Sequence, residues 1–164
     1  MDHFTDKLLK IFQPKGGSKG QRIKRLLQLS EGQDIEIRRE YILKSLMIYL
    51  NEDPISIFKD YSISEIMEAE KEAENTVMGI FVFRRSEHGL VEDVWIVLEG
   101  IKVLAGVKTV IAAFILLFGL IYALDLSYPE KLKYTFEFVQ KIAMVMDGHN
   151  LNTKVQQLKI KIFM

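Results

Sequence analysis

The feature that most constrains this chain is an uncharged run of 16 residues, Thr109 to Leu124, built almost wholly from Ile, Leu, Val, Ala, Phe and one Tyr. Such a run leaves water either for the hydrocarbon of a bilayer or for the interior of a folded domain. A span needs about 20 apolar residues to cross roughly 30 Å of hydrocarbon, so this one is short. Lys108 and Asp125 flank it and Tyr122 suits an interfacial belt, which keeps a single-pass membrane protein spanning at 107–124, Val107 to Leu124, as an alternative. The neighbouring segments, however, carry amphipathic stripes that need a partner, and a helix apolar all round at the centre of a bundle supplies one. The expectation is a mainly α (α+β) fold: a multi-helix domain around a central apolar helix, held by the helix after Pro129, with one antiparallel β-hairpin.

At 164 residues the chain fits one domain, long enough to bury about two thirds of the surface its unfolded form exposes. It contains no cysteine, hence no disulfide and no thiolate metal site, and a cytoplasmic location is expected. Lys plus Arg and Asp plus Glu balance at 22 each, so the whole chain lacks the positive excess that drives phosphate-backbone binding. The distribution is uneven: residues 1–33 hold 7 basic and 3 acidic groups, residues 34–83 hold 5 and 11. Such runs usually mark solvated helix faces. Met1 to Phe12 contains Asp2 and Asp6 and no small-residue cleavage site, unlike a secretory signal. Asp2 stands where myristoylation needs glycine, and prenylation needs a cysteine.

Four segments follow from periodicity and turn chemistry. Residues 1–20 form a basic helix, with Leu8, Leu9, Ile11 and Phe12 on one face, and a glycine-rich hinge at Lys15 to Gly20. Residues 21–74 are helical. Ser18 is the expected N-cap of a helix with Ile23, Leu26 and Leu27 inside, Asp34 caps a third, Pro54 opens a short one through Phe58, and Ser62 or Ser64 opens an acidic one through Glu74. Residues 75–104 read as the hairpin, from strands Thr76 to Phe83 and Val94 to Leu98, with Ile101 to Leu104 a short strand or turn. Residues 105–164 hold the apolar helix and two more. One is periodic in Leu132, Phe136, Val139, Ala143 and Met146 and stops at Gly148. The other is capped by Asn152 or Thr153, with Val155, Leu158, Ile160 and Ile162 inside and Lys154, Lys159 and Lys161 outside.

No constellation carries catalysis, a cofactor or a metal. Gly16-Gly17-Ser18-Lys19-Gly20 lacks the order of a phosphate-binding Walker loop and follows a helix rather than a strand. His3, His88 and His149 have no spacing that aims two imidazoles at one ion. The glutamates from Glu65 to Glu74 lack the glycine-centred pattern of a calcium loop and read as a wet helix face. No serine lies in a nucleophile elbow. Trp95 with Phe81, Phe83, Arg84 and Arg85 has the composition of a single-strand stacking platform, but hairpin aromatics are more often core. Lys15 to Arg25 with Arg38 and Arg39 is the basic stretch suited to nucleic acid or an acidic surface, and a nucleic-acid partner is disfavoured by the neutral whole.

Leu116 to Leu124 followed by Leu126-Ser127-Tyr128-Pro129-Glu130-Lys131-Leu132-Lys133-Tyr134-Thr135-Phe136-Glu137 resembles the carboxy-terminal region of fish sterile alpha motif domain-containing protein 3-like proteins. Arg38-Arg39 leading into Leu46 to Leu50, the Met78 to Arg84 strand, Ile96 to Gly100 and Lys15-Gly16-Gly17 fit the same resemblance; Trp95, where a small residue is expected, departs from it. The resemblance implies a soluble module ending in two helices, without the sterile alpha motif itself, as in an isolated tail region, a gene fragment or a truncated paralogue. It assigns no activity to any residue. The resulting expectation is a non-enzymatic protein-interaction or structural module that contacts an unknown protein partner or a second copy.

Overall fold

The computed structural model of the chain describes residues 2–86, 89–143 and 151–164. In chain order the elements are α1 (Asp2–Phe12), α2 (Gly17–Ser30), α3 (Ile35–Tyr49), β1 (Phe58–Ser62), α4 (Ile66–Glu74), β2 (Met78–Arg84), β3 (Val91–Leu98), β4 (Ile101–Val107), α5 (Val110–Ala123), α6 (Lys133–Phe138) and α7 (Thr153–Phe163). A π turn, Val139–Ala143, continues α6. The chain divides into two compact units: a helical unit from Met1–Pro54 with Tyr128–Met164, and a sheet unit from Ile55–Ser127.

In the helical unit α3 is the most enclosed helix. Ile37, Tyr41, Ile42, Leu43, Leu46, Met47 and Ile48 are buried around its circumference, and α1, α2 and α6 pack on it. Its one deeply buried acid, Glu40, bonds Lys44 one turn on at 2.7 Å. The Asp34 carboxylate caps its start by accepting from the Ile37 N–H at 3.0 Å. α2 begins two residues earlier than a Ser18 cap requires, with Gly16 as N-cap and no side-chain cap bond. The glycine run is therefore a tight corner. A Cβ on Gly20 would lie 2.0 Å from the Lys15 carbonyl oxygen, so only glycine fits where the chain folds back on the helix start.

α6 and α7 complete this unit. The Asn152 side chain caps α7 by accepting from the Lys154 N–H, and Val155, Leu158 and Ile162 are buried. Ile160, expected inside, is 49% exposed. It follows Leu158 by two residues, about 200° around a helix, and so cannot share its face. Met146 and Gly148 lie outside the described residues.

The sheet unit corrects the expected fold. Instead of one hairpin it contains a four-stranded mixed sheet in the order β1-β2-β3-β4. β2 and β3 pair antiparallel as expected, with Phe81 opposite Trp95, but β3 also pairs with β4, and β1 pairs parallel to β2 from Phe58 opposite Ile80 to Ser62 opposite Arg84. β1 was expected to continue a short helix from Pro54; that helix is one 3-10 turn, Pro54–Ser56. The physical reason is non-local. A parallel partner needs a long crossover, here α4, and the pairing that makes Phe58–Ser62 a strand comes from residues beyond that crossover.

The two sheet faces bury different helices. Ala69 and Ala73 of α4 pack on Phe81, Phe83, Trp95 and Val97, with Tyr61 at the margin. Phe114 of α5 meets Phe58 at 6.4 Å between ring centroids. Phe58 stands in register with Ile80, one residue out of phase with Phe81, so α5 covers the opposite face. On this face of the sheet α5 buries Val110, Phe114, Leu117 and Ile121, while Ile115 (48%) and Leu116 (44%) are exposed. Sheet packing needs only one apolar stripe, so an all-round apolar sequence leaves a face uncovered. Among the described residues no helix is long and apolar enough to cross a membrane.

Candidate interaction surface

The helical unit assembles lysines that the sequence separates by more than a hundred residues. Lys15 precedes α2 and Lys19 stands in its first turn; Lys154 and Lys161 come from α7. Tyr49, near the end of α3, is the hub. The Lys15 and Lys161 ammonium groups each lie 5.5 Å from its ring centroid, and Lys161 Nζ donates to the Tyr49 hydroxyl at 2.8 Å. Lys154 Nζ sits 4.6 Å from the ring centroid of Tyr134. Both rings offer their negative faces to cations, which holds the lysine stems in place without neutralising them.

Partial burial, followed by the charges of Lys15 and Lys154, pulls the Lys19 ammonium below the ordinary lysine range. Like charges close enough to do this repel one another, and an anion placed among them removes that repulsion. Among the described residues none of Lys15, Lys19, Lys154 and Lys161 forms an ion pair with a carboxylate. Glu52 acts on Lys154 through space, but its carboxylate is buried and accepts from the Tyr134 N–H at 2.8 Å, the Thr135 N–H at 2.9 Å and the Thr135 hydroxyl at 2.5 Å. Burial pushes the Glu52 carboxyl above its ordinary range; those three donors oppose the shift.

The balanced composition conceals this surface. The helical unit carries 16 Lys and Arg against 11 Asp and Glu, a net +5, and the sheet unit 6 against 11, a net −5. Lys15 and Lys19 were legible as part of a basic stretch, and Lys154 and Lys161 as the outer face of the last helix. The signal that joins them is tertiary. Four other basic residues of that stretch go elsewhere: Arg22 meets Asp53 at 3.5 Å, Arg39 pairs with Glu36 at 2.6 Å, and Lys24 and Arg38 line a separate cleft of about 470 Å³ with Leu9, Leu27 and Glu31.

The other sequence candidates serve the fold. Phe81, Phe83 and Trp95 are buried beneath α4, and the Trp95 indole N–H donates to Asp93 at 2.9 Å, so they present no stacking platform. Lys102 Nζ lies 4.0 Å from the Trp95 ring centroid. Glu65 closes a capping box by accepting from the Ser62 N–H at 2.7 Å. Glu72 accepts from Lys59 and from Tyr61, which holds its carboxyl below the ordinary range, while burial and then the Glu72 bond push the Tyr61 phenol up. Among the described residues no group of acids or histidines could hold a metal ion. His88 and His149 lie outside the described residues, as does the side chain of His3.

A cleft of about 400 Å³ opens at the carboxyl ends of the parallel strands β1 and β2, lined by Asp60, Tyr61, Ser62, Arg84, Arg85 and Ser86. Ligands favour that end of a parallel pair, but here the cations are engaged. Arg84 is buried and donates to Asp60 at 3.0 Å and to the Gly89 carbonyl at 3.3 Å, and Arg85 pairs with Glu92 at 2.5 Å. No family model, no curated protein and no solved structure matches this chain.

Proposed function

We propose that the chain is a non-enzymatic interaction module that engages an acidic partner surface through Lys15, Lys19, Lys154 and Lys161 of its helical unit, in keeping with the resemblance to the tail of sterile alpha motif domain-containing protein 3-like proteins. The observation that carries this reading is the gathering of four lysines with no carboxylate paired to them among the described residues. Exposed single charges are usually scattered or paired, and a cluster that repels itself persists where an opposing surface relieves it. No chemical step is assigned to any residue.

The test is fluorescence anisotropy of a labelled poly-glutamate probe with the full chain. Binding is expected at about 0.05 M salt and loss of it near 0.5 M, where the screening length falls to a few ångströms. The variant Lys15→Gln/Lys19→Gln/Lys154→Gln/Lys161→Gln should bind at least tenfold more weakly with an unchanged circular dichroism spectrum. Equal binding by the two proteins, or none by the natural chain, rejects the reading.

A further inference from the structure

The basic face borders apolar side chains that the helical unit does not bury. α7 places Val155, Leu158 and Ile162 inward, which turns its other side to solvent. Lys154 and Lys161 stand along one margin of that outer side and Phe163 along the other, with Ile160 between them, given about 100° per residue. Ile160 is 49% and Phe163 56% exposed, and Lys7 Nζ lies 5.1 Å from the Phe163 ring centroid. A helix that shows ammonium groups along one margin and aliphatic and aromatic groups beside them has the layout of an interfacial helix, whose lysine stems reach up to headgroups while the apolar groups enter beneath.

We propose that this face of the helical unit seats on an anionic lipid bilayer, with Ile160 and Phe163 entering the headgroup boundary and Lys15, Lys19, Lys154 and Lys161 facing acidic headgroups. The inference rests on the interaction reading above and names its partner. Two observations favour lipid over nucleic acid. The faces of Tyr49 and Tyr134 are occupied by lysines and so are not open to bases. All four cations are lysines, compact point charges suited to a diffuse field, rather than the arginine forks that clamp individual phosphates. The sheet unit, at net −5, is repelled by the same membrane, which confines adhesion to the helical unit.

The experiment is vesicle flotation of the full chain with phosphatidylcholine alone and with about one third phosphatidylserine. Capture by the anionic vesicles only is expected at about 0.1 M salt, with release on raising the salt about fivefold. Replacing the four lysines by glutamine should lower partitioning about fivefold for each lysine removed. The variant Ile160→Ser/Phe163→Ser should lower it about tenfold while keeping the salt dependence. Each variant's circular dichroism spectrum at the assay temperature should match that of the natural chain, which separates lost binding from lost folding. Capture by both vesicle types alike, no capture, or capture indifferent to the lysine variant overturns the inference. Poly-glutamate binding without vesicle capture overturns it and leaves the interaction reading standing; failure of both assays removes both. Tighter lysine-dependent binding to an oligonucleotide duplex than to vesicles also overturns it.

Discussion

Glu52 shows how a single buried acid ties distant parts of the chain. It follows Asn51, which takes a positive φ of 66° as the chain leaves α3, and its carboxylate reaches two backbone N–H groups at the start of α6, 82 and 83 residues away. The first N–H groups of a helix have no partner within it, so Glu52 acts as a cap supplied from outside. Replacing Glu52 by Ala leaves these donors and the Thr135 hydroxyl unsatisfied, and should lower unfolding free energy by about 2–4 kcal/mol in chemical denaturation. The pH dependence has a definite sign. Because the folded-state carboxyl titrates above its ordinary range, the folded chain holds the proton more tightly than the unfolded one. The associated stability is present below the ordinary carboxylate range and is lost as pH rises through the elevated value. The stability difference between the natural chain and Glu52→Gln should therefore shrink as pH rises; a difference that grows with pH contradicts the shift.

Among the elements, α5 and α3 exchange the roles that composition suggests. α5 is nearly pure hydrocarbon yet buries one stripe on the sheet. α3 has Glu36, Arg38, Arg39, Glu40 and Lys44 along its length yet is the enclosed one, because Ile, Leu, Met and Tyr occupy most of its remaining positions. Adjacent leucines of α5 test this orientation. Leu117 is fully buried and Leu116 is 44% exposed, so Leu117→Ala should cost about 2–5 kcal/mol and Leu116→Ala less than about 1 kcal/mol. Equal losses in thermal or denaturant unfolding would contradict this orientation. The strands differ in the same way. Every residue of β4 from Ile101 to Gly106 is exposed, whereas Val94 to Leu98 of β3 are buried.

For the whole molecule, two units of opposite charge stand behind a neutral total, and each has its own interior. Protection from hydrogen exchange should follow those interiors rather than hydropathy. The slowest amides are expected in α3 of the helical unit and in β2 and β3 of the sheet unit, with β4 and the outer turns of α7 exchanging faster. Mass-spectrometric exchange that instead finds α5 the most protected element contradicts this order. The discontinuous helical unit explains why segment-by-segment charge counting understates the basic surface: α7 lies at the far end of the chain from Lys15 and Lys19, and only their shared packing brings the ammonium groups together.

The features legible from the residues alone are local: the Asp34 and Asn152 caps, the helix start at Ser62 and the β2–β3 pair all follow from backbone groups and side chains within a few residues, or across one loop. Tertiary structure alone decided the parallel β1–β2 pairing across α4, which face of an all-apolar α5 is buried, the capping of α6 by Glu52, and the union of four lysines from both ends of the helical unit. Each of these depends on partners tens of residues away, and an apolar run or a lone lysine records that it needs a partner but not where that partner lies.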